Sequence, residues 1–408
     1  MAELVDWQVV VRLATTATPA GPRVTPANRR AVVALLRRSA MEAPAWVAEI
    51  TGLRRAGQLA AEGTGVLVVD RAGMIATAAQ TLREVLAQVP APASVGTGWR
   101  RTPVRAAVSA QIAGVVGPLS TQLLGQVVPG YVVEAGRSPE AAGADRSAVD
   151  VSCGRAPDRS GVGRGGAVGG LGEAATAGAA TAGAATAGAA VGPRMLLVAP
   201  NVLAFQQRMD LDRLDLPAWV TLHEATHAVQ LAAAPWLEEH LRSRVSAAVA
   251  AVVGALRAGG DGVGVLRLMR LLDGREAGAL GALLGEDGRR AFAELSAVLA
   301  VLEGHAEAVL DSVTPTRLPS AHRLRQVMAH RRVGGSVGPG TGFSGLINRV
   351  VRLSEKESQY VDGGEFVRAV LARVGHEGLN RVWSEPGMLP TRAEIGAPAA
   401  WLERVGLG

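Results

Sequence analysis

The sequence predicts a mainly α-helical protein with a small β element, and three observations support this. Of the 408 residues 48% are hydrophobic but only 3% aromatic; Ala, Val and Leu supply the apolar content, which suits close-packed helices better than an aromatic-rich β-sandwich. Several long segments repeat apolar residues at helical spacing between capping and breaking residues. Only two short runs, near 65–70 and 195–205, read as strands.

The first helix with clear punctuation starts at "TPANRRAVVALLRRSA", where Thr25 is the cap and Pro26 takes the first helical position. "GVLVVDRAGM" gives a buried strand over 65–70, and a helix is expected over about 72–88. Residues 136–193 are dominated by Gly, Ala, Ser and Arg and include "AATAGAATAGAATAGAA", a five-residue repeat. Five matches neither the helical nor the strand period and the units hold almost nothing worth burying, so the segment reads as a disordered insertion. It separates an N-terminal helical part, 1–135, from a second part, 194–408, that carries the chemistry; one interrupted domain is the favoured arrangement. "MLLVAPNVLAF" at 195–205 gives the second strand, stopped by Pro200-Asn201. The rest reads as successive helices: one from Pro217 that must end or kink by Pro235, then others near 237–257, 262–272, 289–313, 320–331, 363–374 and 376–384.

Composition also excludes classes of function. The net charge is +6, carried by arginines with Lys356 as the only lysine. The arginine pairs are scattered, no long basic run occurs, and aromatics to stack on bases are few, so no nucleic-acid partner is expected. A GC-rich coding bias accounts for the Arg, Ala and Gly content. The single cysteine, Cys153, forms no intrachain disulfide. The start "MAELVDWQ" has no charged-then-apolar leader pattern. No run of about 18 strongly apolar residues is present; the uncharged stretch 174–192 is too weakly apolar to span a bilayer. The expectation is a cytoplasmic protein with no membrane partner.

The chemistry concentrates in "PAWVTLHEATHAVQLAAAP", 217–235. On a helix, residues four apart diverge by only about 40° and stand one turn apart. His223 and His227 can therefore hold one ion from a single face, while Glu224 reaches a water on that ion without displacing it. Two ligands and a general base from one helical turn is the zincin arrangement. The competing reading is a buried helix whose histidines bond to neighbours.

Catalytic zinc needs a third protein ligand and leaves one position for water. The donors cluster in "AVLAVLEGHAEAVLDSV", 297–313. Glu303 and Glu307 share a helical face and His305 is turned about 200° from Glu303. Glu303 is the expected ligand and His305 the alternative. Glu307 is expected to accept a proton from the outer nitrogen of a ligand histidine, the gluzincin solution, with Asp311 a further supporting acid one turn on. Gly304, which costs a helix about 1 kcal/mol against Ala, makes sense where two helices approach closely. Zn2+ is thus the expected cofactor, Glu224 the catalytic base and Tyr360 a candidate oxyanion donor, its competing role being a core or hinge aromatic. His240, His322, His330 and His376 have no partner at ligand spacing.

Several stretches carry a resemblance beyond this motif: "VDWQVVVRLA", "VLVVDRAGMI", "LLVAPNVLAF", "WVTLHEATHAVQLAAAPWL", "VLEGHAEAVLD" and the tail "QYVDGGEFVRAVLARVGHEGLNRVWSEPGMLPTRAEIGAPAAWLERV". Through them the chain resembles the actinobacterial zincin-like metallopeptidases, a family labelled as associated with deazaflavin-coenzyme biosynthesis. The resemblance covers nearly everything outside 136–193 and implies a mostly helical fold, a zincin site and a peptide or protein substrate. The coenzyme label reflects which organisms carry the family, and no Gly-rich phosphate loop beside a strand supports it here. The insertion and a Gly-rich "VGGSVGPGTGFSG" at 333–345 depart from the family pattern. The leading function is a zinc metallopeptidase; the alternatives are a zinc hydrolase of other amides and a non-catalytic scaffold that keeps zinc for stability.

Overall fold

The computed structural model describes residues 5–87, 101–130, 192–258, 284–333 and 362–408. Most of the Gly/Ala-rich stretch, Cys153, the helix expected at 262–272, most of the Gly-rich segment at 333–345, and Tyr360 lie outside these residues.

The described chain is mostly helical around one small sheet. Helix α1 (Trp7–Ala17) is capped by Asp6, which accepts from Val9 N at 3.1 Å. Helix α2 (Pro26–Thr51) starts as the sequence predicts, with the Thr25 hydroxyl accepting from Asn28 N at 3.2 Å, and runs on through Pro44 to a left-handed Gly52. Helix α3 (Arg54–Gly63) folds back on α2 at Gly57, where a Cβ would stand 2.5 Å from that of Ala48. Strand β1 (Gly65–Val69) then leads into α4 (Arg71–Ala87), and α5 (Arg101–Gln122) precedes β2 (Gly125–Val128).

Strand β3 (Arg194–Val198) is the centre of the sheet. It pairs parallel with β1, from Gly65 opposite Arg194 to Val69 opposite Val198, and antiparallel with β2, from Gly125 opposite Leu197 to Val128 opposite Arg194. Residues from before and after the Gly/Ala-rich stretch thus share one sheet. The second strand stops before Pro200-Asn201, as the sequence predicts: it ends at Val198, and Ala199–Met209 forms helix α6. Pro200 sits in the first turn of that helix, where a missing N–H costs nothing. Asn201 explains why the chain turns there. Its amide donates to Ser120 O at 2.7 Å and Leu123 O at 2.6 Å, and its oxygen accepts from Arg71 Nε at 2.7 Å. One buried side chain thereby fixes the approach to β2, a strand the sequence reading does not contain.

Helix α7 (Asp215–Ala233) is buried along nearly its whole length, as its near-continuous apolar sequence requires. Asp212 Oδ1 accepts from the N–H groups of Leu214 and Asp215 at its start. Helices α8 (Leu237–Ala258), α9 (Gly285–Asp311) and α10 (Ala321–Val333) follow, and Asp215 accepts from both N and Oγ of Ser320 at 2.7 Å, tying α10 to α7. Helix α11 (Gly363–Leu379) is capped by Asp362 and kinks at Gly375, φ 64°, the point where the sequence reading divides two helices. The tail turns through α12 (Arg392–Ile395) and α13 (Pro398–Arg404). Two large apolar cores result. One joins α2, α7 and the sheet around Leu36, Leu197 and Trp219; the other joins α9, α11 and the tail around Phe366, Trp383 and Trp401. Among the described residues no helix is long and apolar enough to cross a membrane.

Candidate metal centre

The cluster forms where α7 and α9 face each other. His223 and His227 stand one turn apart on α7 with ring centroids 4.8 Å apart and planes at 83°. Their Nε2 atoms approach to 3.2 Å. From α9, Glu303 Oε2 lies 3.5 Å from His223 Nε2 and Oε1 lies 3.7 Å from His227 Nε2. Four donors at the roughly 2.0–2.2 Å bond lengths of zinc lie about 3.4 Å from one another at the corners of a tetrahedron. The closest approaches, made by different oxygens of Glu303, fall near that spacing, and one donor atom from each residue lies within 4.8 Å of the other two, so the set suits a zinc-sized ion. The His223 side chain is 4% exposed, while those of His227 and Glu303 are 12% and 17% exposed.

Glu224 is fully buried, and neither carboxylate oxygen has a hydrogen-bond partner among the described residues. Burial pushes its pKa up to about 8; His223 pulls it down and Glu303 pushes it further up. Against it lies the start of β2, where a Cβ on Gly125 would stand 2.7 Å from Glu224 Cγ and 2.8 Å from Oε1. Burial holds the His227 pKa down, with Glu303 and the bond to Gln230 opposing.

The structure thus brings together His223, His227 and Glu303, with Glu224 alongside. His305, the alternative ligand, faces another way: it is wholly buried, 5.3 Å from the Trp383 ring, and burial pushes its pKa down to about 3. Glu307 lies against the start of α11, its Oε2 2.7 Å from where a Cβ on Gly364 would be. Asp311 sits farther along, 3.4 Å from Arg325 and 3.8 Å from Arg368. The outer nitrogen of His227 is occupied by Gln230, whose Oε1 lies 2.9 Å from Nδ1. His240 packs edge-on against Trp236, and His322 and His330 both bond to Gln326.

Gln230 and Gly125 are absent from the sequence reading. Gln230 had a usable signal: three residues after His227 and seven after His223, it falls on their helical face. Gly125 had none, because the strand it opens is four residues long.

A mostly helical protein with two histidines and a carboxylate around one cation-sized space, and a second carboxylate beside the first histidine, has the design of the zincin class. The chain belongs to the zincin-like metallopeptidase family, whose model matches residues 5–402. It is also similar in fold to a crystal structure of a candidate hydrolase with a novel fold from Chloroflexus aurantiacus, at 20% identity and a TM-score of 0.59 over 99% of each chain. No curated protein sequence matches it.

Proposed function

We propose that the protein is a zinc-dependent peptidase in which His223, His227 and Glu303 hold the ion and Glu224 is the general base. One observation carries this reading: three metal-ligating side chains whose donor atoms lie within 4.8 Å of one another, next to a buried carboxylate with no hydrogen-bond partner among the described residues. A carboxylate kept in that condition stabilises nothing in the fold, so a chemical role accounts for it better than a structural one. When bound there, zinc would lower the pKa of a water at its open position toward ~7 and polarise a carbonyl. Glu224 takes up the proton that the attacking water gives up and releases it to the leaving nitrogen. Glu307 and Asp311 support the site from farther along α9, through the start of α11 and through Arg325 and Arg368. Tyr360, two residues before the cap of α11, is the candidate oxyanion donor.

Two further points favour a peptidase over the alternatives. Structural zinc sites use four protein ligands, often cysteines, whereas among the described residues three donors converge here and none is a cysteine. Among the described residues β2 is also an edge strand, and its first residue touches Glu224. An extended peptide can add to such an edge through main-chain hydrogen bonds, which a small amide cannot do.

The test is cleavage of a peptide library by purified protein with and without a chelator, alongside zinc content. Wild type should cleave, stop with chelator and recover with zinc. Glu224→Gln should keep zinc and lose about 10²–10⁴-fold in turnover; His227→Ala should lose the zinc. Stoichiometric zinc with no cleavage of any peptide would leave the scaffold reading standing instead.

A further inference from the structure

One side chain spans both helices that carry the donor cluster. Gln230, on α7, is 1% exposed. Its Nε2 donates to the backbone carbonyl of Leu302 at 2.9 Å and to His305 Nδ1 at 3.1 Å, both on α9, and its Oε1 lies 2.9 Å from His227 Nδ1.

The chemistry of these atoms allows one assignment. A backbone carbonyl can only accept, so the amide NH2 must face Leu302. The amide oxygen then faces His227, and since it can only accept, His227 Nδ1 must carry the hydrogen. Nε2 of His227 is left with a lone pair, directed at the space shared with His223 and Glu303. The second amide hydrogen goes to His305 Nδ1, which must accept, so His305 carries its hydrogen on Nε2. The amide cannot flip without setting its oxygen against the Leu302 carbonyl and its NH2 against the Nδ1 hydrogen of His227.

We propose that Gln230 is the positioning residue of the metal site: anchored to α9 by Leu302 and His305, it fixes the tautomer and orientation of His227 and sets the distance at which α7 and α9 present their donors to a divalent cation. The cation part rests on the metal-site reading above; the tautomer part does not. A ligand histidine whose outer nitrogen donates to a fixed acceptor is held in the right tautomer and made more basic, and removal of that acceptor weakens metal binding about 10- to 100-fold.

The experiment has two arms on the full-length protein. In the metal-free, ¹⁵N-labelled chain, long-range ¹H–¹⁵N correlations report which nitrogen of each histidine ring is protonated, with His227 assigned by its loss in His227→Ala. The expected wild-type result is hydrogen on Nδ1; in Gln230→Leu that preference is lost. In the second arm, zinc affinity is measured by competition with a chromophoric chelator, and Gln230→Leu should bind about 10- to 100-fold more weakly than wild type. A wild-type His227 with its hydrogen on Nε2, or a folded Gln230→Leu with unchanged ring state and unchanged affinity, overturns the proposal. If the variant does not fold, the wild-type ring state decides. If wild type binds no zinc, the function proposed above falls, while the tautomer arm still decides the role of Gln230.

Discussion

At the scale of single residues the site depends on a missing side chain as much as on those present. Gly125 lets β2 pass so close to α7 that a Cβ would overlap Glu224 at Cγ, Cδ and Oε1, all within 2.9 Å. All three atoms belong to the Glu224 side chain, which is fully buried. Gly125→Ala should therefore displace the carboxylate rather than be absorbed by a surface rotamer. A shift of about 1 Å in a catalytic group costs on the order of 10²-fold in rate. The expected outcome is kcat/KM on a cleaved peptide down by roughly that factor, with zinc stoichiometry unchanged, since the atoms nearest the added Cβ all belong to Glu224. Equal loss of zinc and activity would mean that β2 holds up the donor cluster and not the base alone.

At the scale of elements, α9 and α11 cross closely behind the site. A Cβ on Gly304 would stand 2.2 Å from Gly363 O, and one on Gly363 would stand 1.8 Å from Ala300 O. On helix propensity alone Gly304→Ala would gain about 1 kcal/mol. Overlap with main-chain atoms on an opposing helix has no rotameric escape, and overpacking costs about 1–3 kcal/mol or more. Overlap wins, so Gly304→Ala should lower the denaturation midpoint. It should weaken zinc binding as well, because Glu303 is the adjacent residue; an unchanged or raised midpoint in urea would show that the helices can part.

That glycine is legible in the sequence because it interrupts an otherwise apolar helix beside the expected ligand Glu303, and the two histidines are legible because their spacing has a geometric meaning. Other features need long-range contacts that no local pattern encodes. Strand β2 is four residues whose identity as a strand comes from pairing with β3. Pro200-Asn201 is legible as the stop of β3, but the bonds of Asn201 to carbonyls some 80 positions earlier in the chain are not. Gln230 lies on the readable face of α7, but its partners Leu302 and His305 lie 72 and 75 residues away.

At the scale of the whole molecule, the donor cluster sits between the two large cores. Helix α7 contributes Leu216, Trp219, Leu222 and Val229 to the first, and α9 contributes Val298, Val301 and Ala308 to the second. A cation held by both helices therefore links the cores and favours the folded state by mass action. Without it, His223, His227 and Glu303 must share the space through weaker contacts of 3.2–3.7 Å. An ion that binds only the folded chain stabilises it by about 2.7 kcal/mol at 100 times its Kd and about 4.1 kcal/mol at 1,000 times. Chelation should therefore lower the melting temperature by several degrees, and added zinc should restore it in proportion to the logarithm of its free concentration. His227→Ala should melt near the chelated wild type and ignore chelator altogether. A wild-type melting temperature indifferent to chelator, in protein shown to carry zinc beforehand, would place the ion somewhere other than between these two helices, since an ion bridging both cores cannot leave without loosening their junction.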